Sequence, residues 1–435
     1  MAPQPCCPAA PDGPCCPDGP GAAPKAPAAP GSHEGAGGAG DPVSEDERYD
    51  VVVAGGGPAG AVAAQCLAEN GRRVLLADAG SGPAAVKVGE TLPPAIRPLL
   101  VDLGLWDRFA GLDPMPCHGN VSCWGSPLLH ETGFIFDPNG PGWHLDRPRF
   151  DACLREVAAA SGADLREGTT VRDQRRTRGG SWEVHLESPR GRSLVLSGWL
   201  VDATGRRSTV ARRAGTRRRA HDALTAVVAV LHSPAGETDP DTRTMVEAAP
   251  DGWWYSARIP RSRRVVAYLT DADLLPRPVT RSPSAFQDLL TETRYLDAQI
   301  ARHRYTFGPR LTVVTARSSL LDAVAGERWI AVGDAALALD PLSSQGILTA
   351  LYSGMLAARA IDAHLSGDAG ALRSYPARLA AIAAEYRITR RAYYAMERRW
   401  SDRPFWRRRH TEPVPAEQGG LRSLQWQAHA DVVQW

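Results

Sequence analysis

Tyr49-Asp50-Val51-Val52-Val53-Ala54-Gly55-Gly56-Gly57-Pro58-Ala59-Gly60 is the stretch on which the reading of the fold turns. Three consecutive valines predict a strand buried on both faces. The glycines predict a tight turn, and Pro58 opens a helix to about Asn70, which Gly71 ends. Arg73 to Ala77 is a second apolar strand, so strand, turn, helix and strand follow at the scale of a dinucleotide-binding unit. In such a unit Gly55 permits the turn and Gly57 lets the backbone approach a pyrophosphate. Gly60 lets the helix pack on the strand, and Pro58 and Ala59 place helix N–H groups toward the phosphates. Asp78, at the end of the second strand, is placed to bind ribose hydroxyls.

Upstream, residues 1–48 are rich in Pro, Ala and Gly and are expected to be disordered. The paired cysteines there, Cys6-Cys7 and Cys15-Cys16, lack the spacer of a zinc site, so no metal is expected. The whole chain has 435 residues, 43% of them hydrophobic, enough for a globular core. Fifty Lys and Arg against 48 Asp and Glu leave a net charge of +2, which gives no case for nucleic acid. No apolar run is long enough for a transmembrane helix, and the N-terminus has no secretory pattern. Eight cysteines without a disulfide spacing fit a reducing cytoplasm.

Downstream, strand patterns recur from Trp182 to Asp202, Leu224 to Leu231, Arg264 to Thr270 and Trp329 to Val332. Helical patterns run from Gly346 to His364 and over residues 371–400. The expected fold is α/β: a dinucleotide-binding domain over 49–365, with an inserted mixed-sheet substrate domain at about 110–145 and 220–315. C-terminal helices and a basic tail over 366–435 complete it.

Two further segments narrow the ligand. Val201-Asp202-Ala203-Thr204-Gly205-Arg206 ends one strand in a small polar turn. Gly333-Asp334-Ala335-Ala336 ends another, and Asp340-Pro341-Leu342-Ser343-Ser344-Gln345-Gly346-Ile347 leads into a long helix. With the glycine turn, these resemble the FAD-dependent aromatic hydroxylases. The resemblance implies FAD, with Gly333 and Asp334 at its ribityl or ribose hydroxyls and Asp202 in its binding turn. It also implies a helix N-terminus at Pro341, Gln345, Gly346 and Ile347 aimed at the flavin pyrimidine ring. Arg147, in Leu145-Asp146-Arg147, matches an arginine that reaches the phosphates. Val171 matches a backbone contact to adenine.

Lys87-Val88-Gly89-Glu90-Thr91-Leu92-Pro93-Pro94 resembles the flavin strap of the tryptophan-halogenase superfamily, which implies flavin contacts at Lys87, Glu90 and Thr91. Gly252-Trp253-Trp254-Tyr255 falls where halogenases carry a partly matching tryptophan motif. A halogenase also needs a lysine about thirty residues past the strap glutamate. Here Cys117-His118-Gly119-Asn120-Val121-Ser122-Cys123-Trp124-Gly125 contains none, and a permanently protonated arginine is no substitute. From Tyr49 to about Arg409 the chain is similar to flavoproteins that mature the tryptophylquinone cofactors of amine and amino-acid oxidases.

That resemblance implies a monooxygenase in which reduced flavin and O2 form a C4a-hydroperoxide. Oxygen is then delivered to an electron-rich ring, either a small aromatic or a tryptophan in a partner protein or peptide. Trp253, Trp254 and Tyr255 are candidates for the wall facing the flavin, and His118 and His144 for proton movement. Electrons would come from NAD(P)H or a separate flavin reductase. Other readings on this scaffold are a halogenase, an isoprenoid reductase and a non-catalytic flavin module. Arginines at 206–219 and 398–409 form either solvated faces or a docking surface for an acidic partner or nucleotide.

Overall fold

A computed structural model describes residues 47–80, 89–234 and 239–411. The tail, Lys87 and the end of the basic C-terminus lie outside the described residues.

The valine run forms β1 (Arg48–Ala54), and Val51, Val52 and Val53 are fully buried. Burial of each such side chain stabilises the fold by roughly 2 kcal/mol. After the turn comes α1 (Pro58–Glu69), then β2 (Val74–Asp78). β1 pairs in parallel with β2 on one side and with Gly191–Asp202 on the other. Trp329–Ala331 continues the same sheet in parallel beyond Gly191–Asp202. The two polar turns, after Asp202 and after Ala331, therefore end beside the glycine turn. This is the carboxyl edge of a parallel sheet, where such folds bind ligands.

The strap leads through β3 (Thr91–Leu92), which pairs with β4 (Gly142–His144), and Thr91 lies opposite His144. α2 (Arg147–Ala160) follows, with Asp146 capping its first turn by accepting from the Arg149 N–H.

A seven-stranded sheet forms the second layer. Its main strands are β5 (Leu224–His232), β6 (Thr244–Ala249), β7 (Gly252–Ile259), β8 (Arg263–Asp271) and β9 (Thr306–Thr315), in the order β9-β5-β8-β7-β6. Gly119–Cys123 and His130–Gly133 extend it past β6. All neighbours are antiparallel except β6 and Gly119–Cys123. The period of two gives this sheet two faces. One carries Ala226, Ala267, Leu269, Trp253 and Tyr255; the other carries Trp254, Tyr268 and Val227 against Phe286.

α3 (Gly346–Leu365) and α4 (Ala371–Met396) close the structure. Tyr375 of α4 donates to the Ala331 carbonyl at 2.6 Å, and Tyr386 accepts from the Asp340 N–H at 2.7 Å. α4 is thereby tied to both sides of the Asp334–Asp340 segment. Among the described residues no helix is long and apolar enough to cross a membrane.

Candidate functional site

Between the two sheets lies a cavity of about 560 Å³. One end is the glycine turn, with Gly57, Pro58 and Ala59. The strap contributes Gly89, Glu90 and Thr91, and the head of α2 contributes Arg147. Asp334, Asp340, Pro341, Gln345, Gly346 and Ile347 line it at the N-terminus of α3. The opposite wall is apolar: Ala226, Ala267, Leu269 and Val314, with Tyr255 at its edge. Two more open grooves, of about 1020 and 720 Å³, lie among Arg213, Arg217 and their neighbours and lack such a wall.

The remaining expected site residues stand behind this lining. Gly55 has φ +111°, and a Cβ on it would sit 2.3 Å from the Ala203 carbonyl oxygen. A Cβ on Gly60 would sit 1.9 Å from the Gly55 oxygen, whereas one on Gly57 meets nothing within 4 Å. Gly55 and Gly60 thus shape the turn, and Gly57 leaves open space before the first turn of α1. Asp78 accepts from the Gly56 N–H at 3.1 Å, with Arg155 3.7 Å away. Asp202 is a buried clamp: it accepts from Thr204 N–H at 3.0 Å, Thr204 Oγ1 at 2.6 Å and Ala211 N–H at 2.8 Å. Burial raises its carboxyl above the ordinary range. Gly333, at φ +55°, packs on Ala59. Val171 is buried in the first sheet, where its carbonyl accepts from Arg213 at 3.4 Å.

The three-residue aromatic wall needs correction. Only Tyr255 lines the cavity. Trp254 faces the far side of the sheet, packed against Tyr268 and edge-on to Phe286, because neighbours on a strand point oppositely. Trp253 is on the cavity side but one layer back, and its indole N–H donates to Tyr394 Oη at 3.1 Å. His144 is likewise behind the lining and fully buried, and His118 is exposed on the surface. Many of the 398–409 arginines are also committed internally: Arg399 to Glu397, Arg408 and Arg409 to Asp271.

Two buried carboxyls face the cavity. Burial pushes Glu90 up to about 7, against a smaller lowering from the Arg147 guanidinium. Asp340 is also raised, chiefly by burial. Its Oδ2 accepts from Tyr394 Oη at 2.8 Å and its Oδ1 from the Leu342 N–H at 2.9 Å. Arg147 holds the strap by donating to the Gly89 carbonyl at 2.7 Å. Arg206 bridges Asp334 Oδ2 at 3.2 Å and the Leu339 carbonyl at 3.1 Å. Sequence reasoning assigned no role to Asp340 within the site and did not single out the apolar wall or Thr244. The small residues on alternate positions of β5 and β8 were the available signal.

These groups fit FAD. Open space lies at Gly57 before the first turn of α1, Asp78 ends β2, and the N-terminus of α3 faces a partly apolar cavity. Pro58, Ala59 and Arg147 would hold the phosphates, Asp78 and Asp334 the sugar hydroxyls, and Gln345 to Ile347 the ring. Residues 48–387 match the FAD binding domain family, and the chain belongs to it. The chain is 32% identical to the putative FAD-dependent oxidoreductase LodB of Marinomonas mediterranea, over 84% of this chain and 97% of that one. It is 28% identical to a menaquinone reductase of Mycobacterium tuberculosis, over 74% of this chain and 78% of that one. The fold is that of the myxobacterial chondrochloren halogenase CndH, with a TM-score of 0.74 and 24% identity over 85% and 87% of the two chains. The protein is an FAD-dependent oxidoreductase with a halogenase- and hydroxylase-like fold.

Proposed function

We propose that this chain is a monooxygenase acting on an electron-rich aromatic ring, and that the ring is a tryptophan side chain of a partner protein or peptide. The observation that carries the reading is the chamber itself. An α3 N-terminus and a strap suited to flavin face an apolar wall of Ala226, Ala267, Leu269 and Val314. Bound FAD would supply the electrons that activate dioxygen. The chain's own contribution is dryness, through that wall, and a proton held at a buried carboxyl, Glu90. The described lining has no lysine, which disfavours halogenation. The likeness to LodB supports an FAD-dependent oxidoreductase, and the motif resemblance to quinone-cofactor maturation proteins supports a macromolecular substrate.

NAD(P)H or a separate flavin reductase supplies electrons in this reading. Anaerobic addition of NADH or NADPH to the FAD-loaded protein distinguishes the two, since direct donation bleaches the flavin without a second protein. The reaction itself is tested by oxygen consumption and peroxide release with and without an indole-bearing peptide. Peroxide falling below oxygen consumed as the peptide is added supports oxygenation; equal amounts at every peptide concentration count against it. The menaquinone reductase relative favours a second reading, reduction of an isoprenoid chain against the same wall. That reading expects anaerobic turnover with an isoprenoid quinone.

A further inference from the structure

We infer that Glu90 is the acid–base group of the cavity, carrying its exchangeable proton on Oε1. A one-way chain of hydrogen bonds from His144 through Thr244, Thr91 and Tyr255 reserves Oε2 as an acceptor. The inference rests on the reading of this cavity as the flavin site.

Glu90 is buried, lines the cavity, and has its main chain pinned where its carbonyl accepts from the Leu145 N–H at 2.8 Å. Its Oε1 has no hydrogen-bond partner, while Oε2 lies 3.5 Å from Tyr255 Oη. Behind Tyr255 the contacts continue: 2.7 Å to Thr91 Oγ1, 3.5 Å from there to Thr244 Oγ1, and 3.0 Å from Thr244 to His144 Nε2. Each hydroxyl carries one proton and donates once, and the chain has one side branch, where Thr244 Oγ1 also lies 3.7 Å from Cys117 Sγ.

His144 sets the sense of the chain. It is sealed from solvent, and burial, reinforced by Arg264 and Arg258, depresses its pKa to about 3, so the ring is neutral. A neutral imidazole has one N–H. Its Nδ1 has no partner. An unpartnered buried N–H is the costlier orphan, so the proton belongs on Nε2 and is donated to Thr244. With Thr244 donating to Thr91 rather than to Cys117, Thr91 donates to Tyr255 and Tyr255 to Glu90 Oε2. In that arrangement Oε2 receives, so the proton that Glu90 gains or loses sits on Oε1, a buried oxygen with no partner in the protein. The other charged or titratable groups packed around this carboxyl are Arg147 from α2, Cys117 beside Thr244, and Arg206, Asp334 and Asp340 across the cavity. Burial outweighs Arg147 and moves the Glu90 titration to about 7.

The test is a pH titration of the FAD-loaded protein, read by the visible flavin spectrum and by the infrared carbonyl band of a protonated carboxyl. Wild type should show one transition near 7 in both signals. Glu90→Gln, with FAD bound at full stoichiometry, should lose both. Thr244→Val, which interrupts the chain without touching the cavity, should raise the transition by about one unit, because the charged form of Glu90 loses its enforced donor. A Glu90→Gln protein that binds FAD and keeps the wild-type transition overturns the inference, and so does an unshifted Thr244→Val. A wild-type protein that binds no FAD overturns instead the reading of the cavity as the flavin site.

Discussion

Tyr394 of α4 donates a 2.8 Å hydrogen bond to the buried carboxylate of Asp340, and Trp253 donates to the same tyrosine oxygen at 3.1 Å. The pair joins the C-terminal helix to the segment that introduces α3 into the cavity. It also gives Trp253 a positioning role that its sequence neighbourhood with Tyr255 concealed. Tyr394→Phe leaves a buried acceptor short of a donor and is expected to cost about 1–3 kcal/mol. Trp253→Phe keeps an aromatic ring and should cost less. Thermal unfolding of the two variants checks the ranking, which reverses if Asp340 does not depend on Tyr394.

The glycine turn separates folding from binding. Gly60→Ala places a methyl 1.9 Å from the Gly55 oxygen, so the variant should fold poorly or not at all. Gly57→Ala meets open protein space, and Gly57 already has extended backbone at φ −73°, ψ −179°. It should fold normally yet bind FAD at least about tenfold more weakly, the loss expected when one phosphate-facing contact is blocked. Flavin stoichiometry after dialysis, with Tm as the folding control, checks both.

Stability should respond to pH through two buried groups of opposite kind. Glu90 rises from 4.5 to about 7 on folding, so between those values the folded chain binds more protons than the unfolded one. Stability therefore falls as pH rises through that window, by up to about 3 kcal/mol. Glu90→Gln should remove this loss and be more stable than wild type above pH 7. Denaturant unfolding across pH 5 to 8 is the measurement.

His144 falls from 6.5 to about 3, so between those values the unfolded chain binds the extra proton. Its contribution is lost as pH drops below 6.5. His144→Phe should flatten the acid limb of the stability profile, and an unchanged limb would place the acid sensitivity elsewhere.

How much of this was legible depends on distance along the chain. The turn from Ala54 to Gly60 was readable because strand, glycines and helix are contiguous. The α3 N-terminus was readable for the same reason, as Asp340-Pro341 lies just ahead of the helix and Gln345-Gly346 spans its start. The strands facing each other across the cavity were not. Glu90 and Tyr255 are 165 residues apart and His144 and Thr244 are 100 apart, so no local pattern couples them. The alternation of Trp253, Trp254 and Tyr255 could have been read from strand periodicity alone. It was obscured because three adjacent aromatics look like one surface. The apolar wall draws one residue each from β5 and β9 and two from β8, and each is unremarked until the strands pair.

The most direct test of oxygenation is isotopic. The FAD-loaded protein, reduced anaerobically, is mixed with heavy-isotope dioxygen and a tryptophan-bearing peptide, and the peptide is weighed by mass spectrometry. Incorporation of one heavy oxygen atom into the indole, lost when FAD is omitted, is the expected result. An unlabelled peptide with all oxygen recovered as peroxide, over a range of aromatic substrates, would contradict the account.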